Sequence, residues 1–178
     1  MYKQLGVLVL FVLGIWILFP SYAEPQEVLK SSPISDEDFL FIESLDIAAP
    51  IRVPSSNREI DIQLALQDGV AHLLNTAKIG EVGNAYIVGH SSDYFFALGN
   101  YKNVFAKLPQ IKIDDQIRVT SDGRELIFKV IKTSIVSPND ISVLSQNTNN
   151  LRLITLQTSY PIGTSKLRFL AVAKLIED

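Results

Sequence analysis

Hydrophobic residues along this chain gather first in one long run and afterwards in many short ones. Nearly every position from Leu5 to Phe19 is apolar, and no charge falls between Gln4 and Ala23. A helix of about 20 such residues spans a hydrocarbon core of about 30 Å. The pattern predicts a transmembrane helix over 1–23, with Lys3 inside, Glu24 onward outside, and Trp16 and Tyr22 suited to an interface. A cleaved signal peptide competes, because Ser21-Tyr22-Ala23 offers small residues where a signal peptidase reads. Both readings send the remainder out of the cytoplasm. The first makes the chain a single-pass protein of the cell membrane. Residues 24–38 are rich in Pro, Ser and acid, carry no sustained period and read as a stalk.

From 39 to 178 the apolar runs are short and interrupted by turn residues. Phe39–Ile47 and Ala49–Val53 are two such stretches, split by Pro50. Ala85–Gly89 is a brief strand. Gln116–Thr120 and Glu125–Val136 flank Ser121-Asp122-Gly123, in which Asp-Gly is a hairpin signal. Leu151–Thr158 and Lys166–Ile176 form a last pair of strands around Tyr160-Pro161-Ile162-Gly163. Val130, Ile154 and Val172 are assigned to core packing. Ile60–Gln67 reads as a short helix with Asp61 near its N-cap and Gly69 after its end. Ser137-Pro138-Asn139-Asp140 turns into a short helical piece ending at Leu144, and Asn147–Asn150 is a polar loop. Many short strands with turn punctuation predict a mostly β domain, a closed barrel or a sandwich.

Composition then removes whole classes of function. The chain has 178 residues, with 16 Lys and Arg against 19 Asp and Glu, for a net charge of −3. An acidic balance disfavours nucleic acid as a partner, since phosphate neutralisation needs a basic surface. The absence of Cys excludes disulfides, Cys-ligated zinc, iron–sulfur clusters and a thiol nucleophile. Two His are too few for a His-rich metal site, and neither cofactor nor metal is expected. Asp114-Asp115 reads as a turn, because a calcium site would need more oxygen ligands than the local sequence offers.

Polar residues at the ends of buried strands are the places where chemistry can sit. His90 ends Ala85–Gly89, Ser159 ends Leu151–Thr158, and Arg168 lies in the following strand. If those strands are neighbours, a hydroxyl, an imidazole and a guanidinium share one groove. The hydroxyl can then attack an acyl carbon, the imidazole can take its proton, and the guanidinium can stabilise the resulting oxyanion. Spacing alone equally allows a satisfied buried His90, a turn at Ser159 and a solvated Arg168.

The order of motifs across the domain adds to this. Ala49-Pro50-Ile51, Gly69-Val70-Ala71-His72 and Thr76-Ala77 are followed by Gly83-Asn84-Ala85-Tyr86-Ile87-Val88-Gly89-His90-Ser91-Ser92. Val104-Phe105-Ala106-Lys107-Leu108, Asp114-Asp115-Gln116-Ile117 and Thr155-Leu156-Gln157-Thr158-Ser159-Tyr160-Pro161 come next. This series, from about Phe39 to Ile176, resembles the sortase family of cell-surface transpeptidases. The resemblance implies a closed, mostly antiparallel β-barrel of about eight strands with short helices, behind an N-terminal anchor and stalk. It implies that His90, Ser159 and Arg168 are the catalytic residues, with Ser159 standing where the family carries its nucleophilic Cys. It further implies a C-terminal sorting-signal peptide of exported proteins as substrate, and an amine acceptor, a cell-wall peptide or pilin lysine. With a hydroxyl in place of the thiol, a domain that binds such peptides or surface proteins without cleaving them is the alternative. Thr158 is expected to offer its hydroxyl or N–H to bound peptide. Tyr94, Phe95 and Phe96 either wall an apolar peptide groove or cover the barrel end. His72 is read as structural or substrate-adjacent.

Overall fold

The computed structural model describes residues 37–92 and 99–176. The expected anchor over 1–23, the stalk as far as 36, and Tyr94, Phe95 and Phe96 lie outside these residues.

The strands are β1 (Phe39–Ile42), β2 (Ile47–Arg52), β3 (Val70–His72), β4 (Gly83–Val88), β5 (Gln116–Ser121), β6 (Arg124–Val136), β7 (Arg152–Tyr160) and β8 (Leu167–Leu175). They close into a barrel in the order β1-β2-β3-β4-β7-β8-β6-β5. Closure leaves no unpaired sheet edge. The pairings are antiparallel except β2–β3 and β4–β7, which are parallel. Among the described residues one α-helix, α1 (Glu59–Gln67), crosses from β2 to β3, and short 3-10 helices punctuate the connections.

Local chemistry accounts for the boundaries. Asp122 and Gly123 both take positive φ, 49° and 71°, the conformation of a tight two-residue hairpin turn between β5 and β6. The apolar run expected over 39–47 is broken. A 3-10 helix at Glu43–Leu45 and a left-handed Asp46 fold it into the β1–β2 hairpin. Pro50 does not split its strand, as the alternation had suggested. The Ile51 N–H bonds the Asp38 carbonyl at 2.8 Å, so the Pro50 nitrogen faces the side where β3 joins only from Ile51 onward. Helix α1 begins at Glu59 with Arg58 as N-cap, and Asp61 sits in its first turn, near the cap as expected. Hydrogen bonds from the Ser56 hydroxyl and the Arg58 side chain hold the Asp61 carboxyl below its usual range.

Side-chain alternation separates two cores. Ile154 and Leu156 of β7, Phe169, Ala171 and Ala173 of β8, and Ala85 and Ile87 of β4 point into the barrel. There they meet Phe128 and Val130 of β6, both fully buried. The assignment of Val130 and Ile154 to the core holds; that of Val172 does not. Val172 lies between the inward Ala171 and Ala173 and is half-buried on the outer face. Outside the barrel, a second cluster joins Ala71, Tyr86, Val88 and Leu170 to Leu66 of α1.

Phe128→Ala empties the centre of the barrel. It should cost about 3–5 kcal/mol, read as a lower urea midpoint at unchanged slope.

Candidate active site

The outer face of β4, β7 and β8 is the floor on which the candidate groups stand. Helix α1 covers part of it because Ile62 and Leu66, four residues apart, share one helix face and pack onto Tyr86, Val88 and Leu170. At the edge of this cover a groove of about 210 Å³ opens, lined by Ile62, Leu66 and Val88 together with His90, Ser159 and Arg168. The three sequence-selected residues therefore border one cavity.

Strand register explains their convergence. Ser159 and Arg168 are direct partners in the antiparallel β7–β8 ladder, which puts their Cβ atoms about 5 Å apart on one face. The last parallel pair of β4 and β7 is Val88–Gln157. Two residues further along both chains bring His90 level with Ser159. The backbone around His90 is held on both sides. The Gly89 N–H donates to the Gln157 carbonyl at 3.0 Å, and the His90 carbonyl accepts from the Phe105 N–H at 2.9 Å. Gly89 has no room for a side chain, since a Cβ there would lie 2.4 Å from the Phe105 ring. The Arg168 guanidinium is braced by its Nη1, which donates to the carbonyls of Ser165 at 3.0 Å and Leu167 at 3.1 Å. Ser159 also borders a second, wider hollow of about 610 Å³ lined by Ser91, Ser92, Gly163, Thr164 and Lys166. A group bound at Ser159 is thus approachable from two sides.

The Thr158 hydroxyl, one of the two groups expected to serve a peptide, is committed elsewhere. The Thr158 side chain points into the barrel at 1% exposure, and its hydroxyl donates to the Gly89 carbonyl at 2.9 Å. Alternation along β7 turns it away from the face that carries Ser159. The Thr158 hydroxyl tethers the chain end that bears His90 and is not offered to a peptide. His72 stands apart from the groove. Its Nε2 lies 3.0 Å from the Ala77 carbonyl and 3.2 Å from the Thr76 hydroxyl. Burial lowers the His72 pKa, against the opposing effects of the Ala77 carbonyl and the Asp38 charge. Asp114 takes a positive φ of 74° in the turn before β5, and the Asp115 carboxylate accepts from the Lys112 N–H at 2.9 Å. Among the described residues no three His, Cys, Asp or Glu gather as a metal site.

Two residues of this floor escaped the sequence reading. Tyr86 is 1% exposed, and its hydroxyl donates to Gln157 Oε1 at 2.8 Å. Burial pushes the phenol pKa well above its ordinary value, although the Arg168 charge pulls the other way. Gln157 also borders the groove. Its position two residues before Ser159 in a strand was the available signal, since i and i+2 share a face.

Comparison with known proteins agrees with this architecture. A family model for the sortase domain matches residues 40–176. Sortase D of Bacillus subtilis (strain 168) is 25% identical over an alignment of 134 residues that covers 71% of this chain and 62% of that protein. The match therefore spans less than two thirds of that relative. Among solved structures, a Clostridium perfringens Sortase D5 transpeptidase is 26% identical with a TM-score of 0.64, covering 79% of each chain. Sortase C-1 from Actinomyces oris, 24% identical, shares the fold with a TM-score of 0.67, covering 79% of this chain and 74% of its own.

Thr158→Val keeps the shape and removes the tether, and should cost about 1–2 kcal/mol in urea unfolding, whereas Thr158→Ser should retain most of it. His72 yields a pH signature. Its native pKa lies below the unfolded value of about 6.5, so the unfolded chain binds the proton more readily. The stability contributed by the neutral ring is complete above that value and is lost as pH falls toward the native pKa. Relative to His72→Gln, the parent should lose unfolding midpoint as pH is lowered from about 7.5 to 5.5.

Proposed function

Because the chain belongs to the sortase family, we propose that it is a transpeptidase that takes a C-terminal sorting peptide of exported proteins and joins it to an amine acceptor at the cell surface. The acceptor is a cell-wall peptide or a pilin lysine. The observation that carries this reading is the direct pairing of Ser159 with Arg168 in a groove that His90 also borders.

The chemistry follows from these three groups. Ser159 Oγ attacks the scissile carbonyl while His90 takes the hydroxyl proton. Arg168, held by backbone carbonyls, faces the developing oxyanion. Collapse breaks the C–N bond, His90 returns the proton to the leaving amine, and an acyl ester remains on Ser159. The acceptor amine attacks that ester, loses its proton to His90, and regenerates the serine as the new amide forms. The wider hollow beside Ser159 is the approach for the incoming amine. A hydroxyl at position 159 makes the first step dependent on the base, where a thiol would be partly ionised near neutrality.

The second reading, a groove that holds peptide without cutting it, is favoured by one feature, the hydroxyl itself. We further propose that residues 1–23 remain as a single-pass anchor and hold the domain outside the cytoplasmic membrane. Intact mass of the protein from its host tests this: retention of 1–23 is expected, and their loss would establish a cleaved signal instead.

The enzyme is tested by comparing the parent, Ser159→Cys and Ser159→Ala on a panel of sorting peptides, with mass spectrometry of acyl adducts. Cleavage by the parent that disappears in Ser159→Ala is expected. Arg168→Ala should lower the rate about 10²–10³-fold. If Ser159→Cys forms no adduct with any peptide that the folded domain binds, the non-catalytic reading replaces the enzyme.

A further inference from the structure

Gln157 is a polar residue set among apolar ones. Its register partners are Val88 on β4 and Leu170 on β8, at 8% and 3% exposure. Its carboxamide has two ends with different fates. Oε1 accepts the proton of Tyr86, a buried phenol that makes no other hydrogen bond among the described residues. Nε2 donates to no described residue. The residue is only half-buried and borders the groove. Any acceptor, a carboxylate included, would satisfy Tyr86. The NH2 half of the amide is not needed for packing, and the phenol fixes which half faces the groove.

We propose that the Gln157 amide NH2 is a substrate-positioning donor that binds an acceptor oxygen on the acyl side of the peptide. This rests on the peptide-processing reading of the groove given above. Gln157 lies two residues from Ser159 on the same face, about 6.6 Å along the strand. An extended peptide rises by the same amount per residue, and the hollow proposed for the amine borders Ser159 but not Gln157, so we place the oxygen on the residue about two positions before the one acylated on Ser159. The oxygen comes from either the main-chain carbonyl or the side chain of that residue. Tyr86 acts through Gln157 as a positioning residue.

The test sets Gln157→Glu against Gln157→Met in the full chain. Binding is measured by anisotropy with fluorescein-labelled sorting peptides that carry Thr, Asn or Val at the position in question. Thermal unfolding is measured alongside. Glu keeps an acceptor for Tyr86 and should keep the parent's unfolding midpoint, while Met orphans the phenol and should lower it. Binding should run in the opposite order. Glu presents oxygen to oxygen and should weaken binding by about 30-fold or more, Met by about tenfold. Lowering the pH below about 4.3 protonates the Glu side chain. It then regains a donor, and its deficit relative to the parent at the same pH should shrink. A loss shared by the Thr, Asn and Val peptides identifies the main-chain carbonyl as the acceptor. A loss confined to Thr and Asn identifies the side chain. If binding follows the same order as stability, with Glu milder than Met, Gln157 serves only packing and the inference is overturned. Parent protein that binds no peptide of the panel overturns the peptide-processing reading itself, and the donor role with it.

Discussion

Strand β7 is hydrogen-bonded along most of its length to two neighbours, parallel to β4 through Gly83–Val88 and antiparallel to β8 through Leu167–Lys174. This double ladder is the constraint on which the rest depends. It fixes which residues of β7 face the barrel and which face outward. Ile154, Leu156 and Thr158 go in; Thr155, Gln157 and Ser159 go out. A slip of one residue would exchange the two sets and bury Ser159 in place of Thr158. The apolar interior therefore enforces the position of the candidate nucleophile, because the slip would turn Thr155, Gln157 and Ser159 into it, away from the present partners of Thr155 and Gln157, at about 1–3 kcal/mol for each buried polar group left unmet.

Buried polar atoms around the site are all engaged, and their bonds run between strands. Thr155 donates to Asn84 at 2.7 Å, Thr158 to Gly89 at 2.9 Å, and Tyr86 to Gln157 at 2.8 Å. Each joins β7 to β4 or to the residue just beyond it. An unmet partner in such a setting costs about 1–3 kcal/mol, so the bonds lock the relative height of the two strands. His90 and Ser159 inherit that alignment. Gln146 extends the lock to the connection before β7. Its Oε1 accepts from the N–H groups of Ala77 and Asn84, and its Nε2 donates to the carbonyls of Asn84 and Leu144. The backbone of the groove floor is thus tied across strands, and His90, Ser159 and Arg168 border the groove.

A serine at position 159 changes the demands on this frame. A hydroxyl contributes reactivity only with a base correctly placed and an oxyanion partner already in position. In the proposed enzyme that demand falls on Arg168, braced by two carbonyls, and on His90, whose backbone is held at Phe105 and through Gly89.

Much of this was legible in the chain. The Asp122-Gly123 turn, the short α1 helix, the 3-10 segment ending at Leu144, and the last two strands follow from period and punctuation, because these are local preferences of backbone and side chain. Ordered motifs pointed to His90, Ser159 and Arg168. Other features were beyond local reading. Val172, placed in the core by its hydrophobicity, is turned outward, since the face of a strand residue is set by the neighbouring strands. Pro50 sits inside a strand, since only the late arrival of β3 shows that no donor is required there. Thr158, whose hydroxyl was expected in the groove, points inside, and Gln157, which local reading passed over, borders the groove. The sequence by itself determined the chemistry available, a hydroxyl, an imidazole and a guanidinium with no thiol, and the short elements that carry them. Only the tertiary structure decided which side chains share a face and a height. That depends on register between strands distant in sequence, which no local pattern encodes.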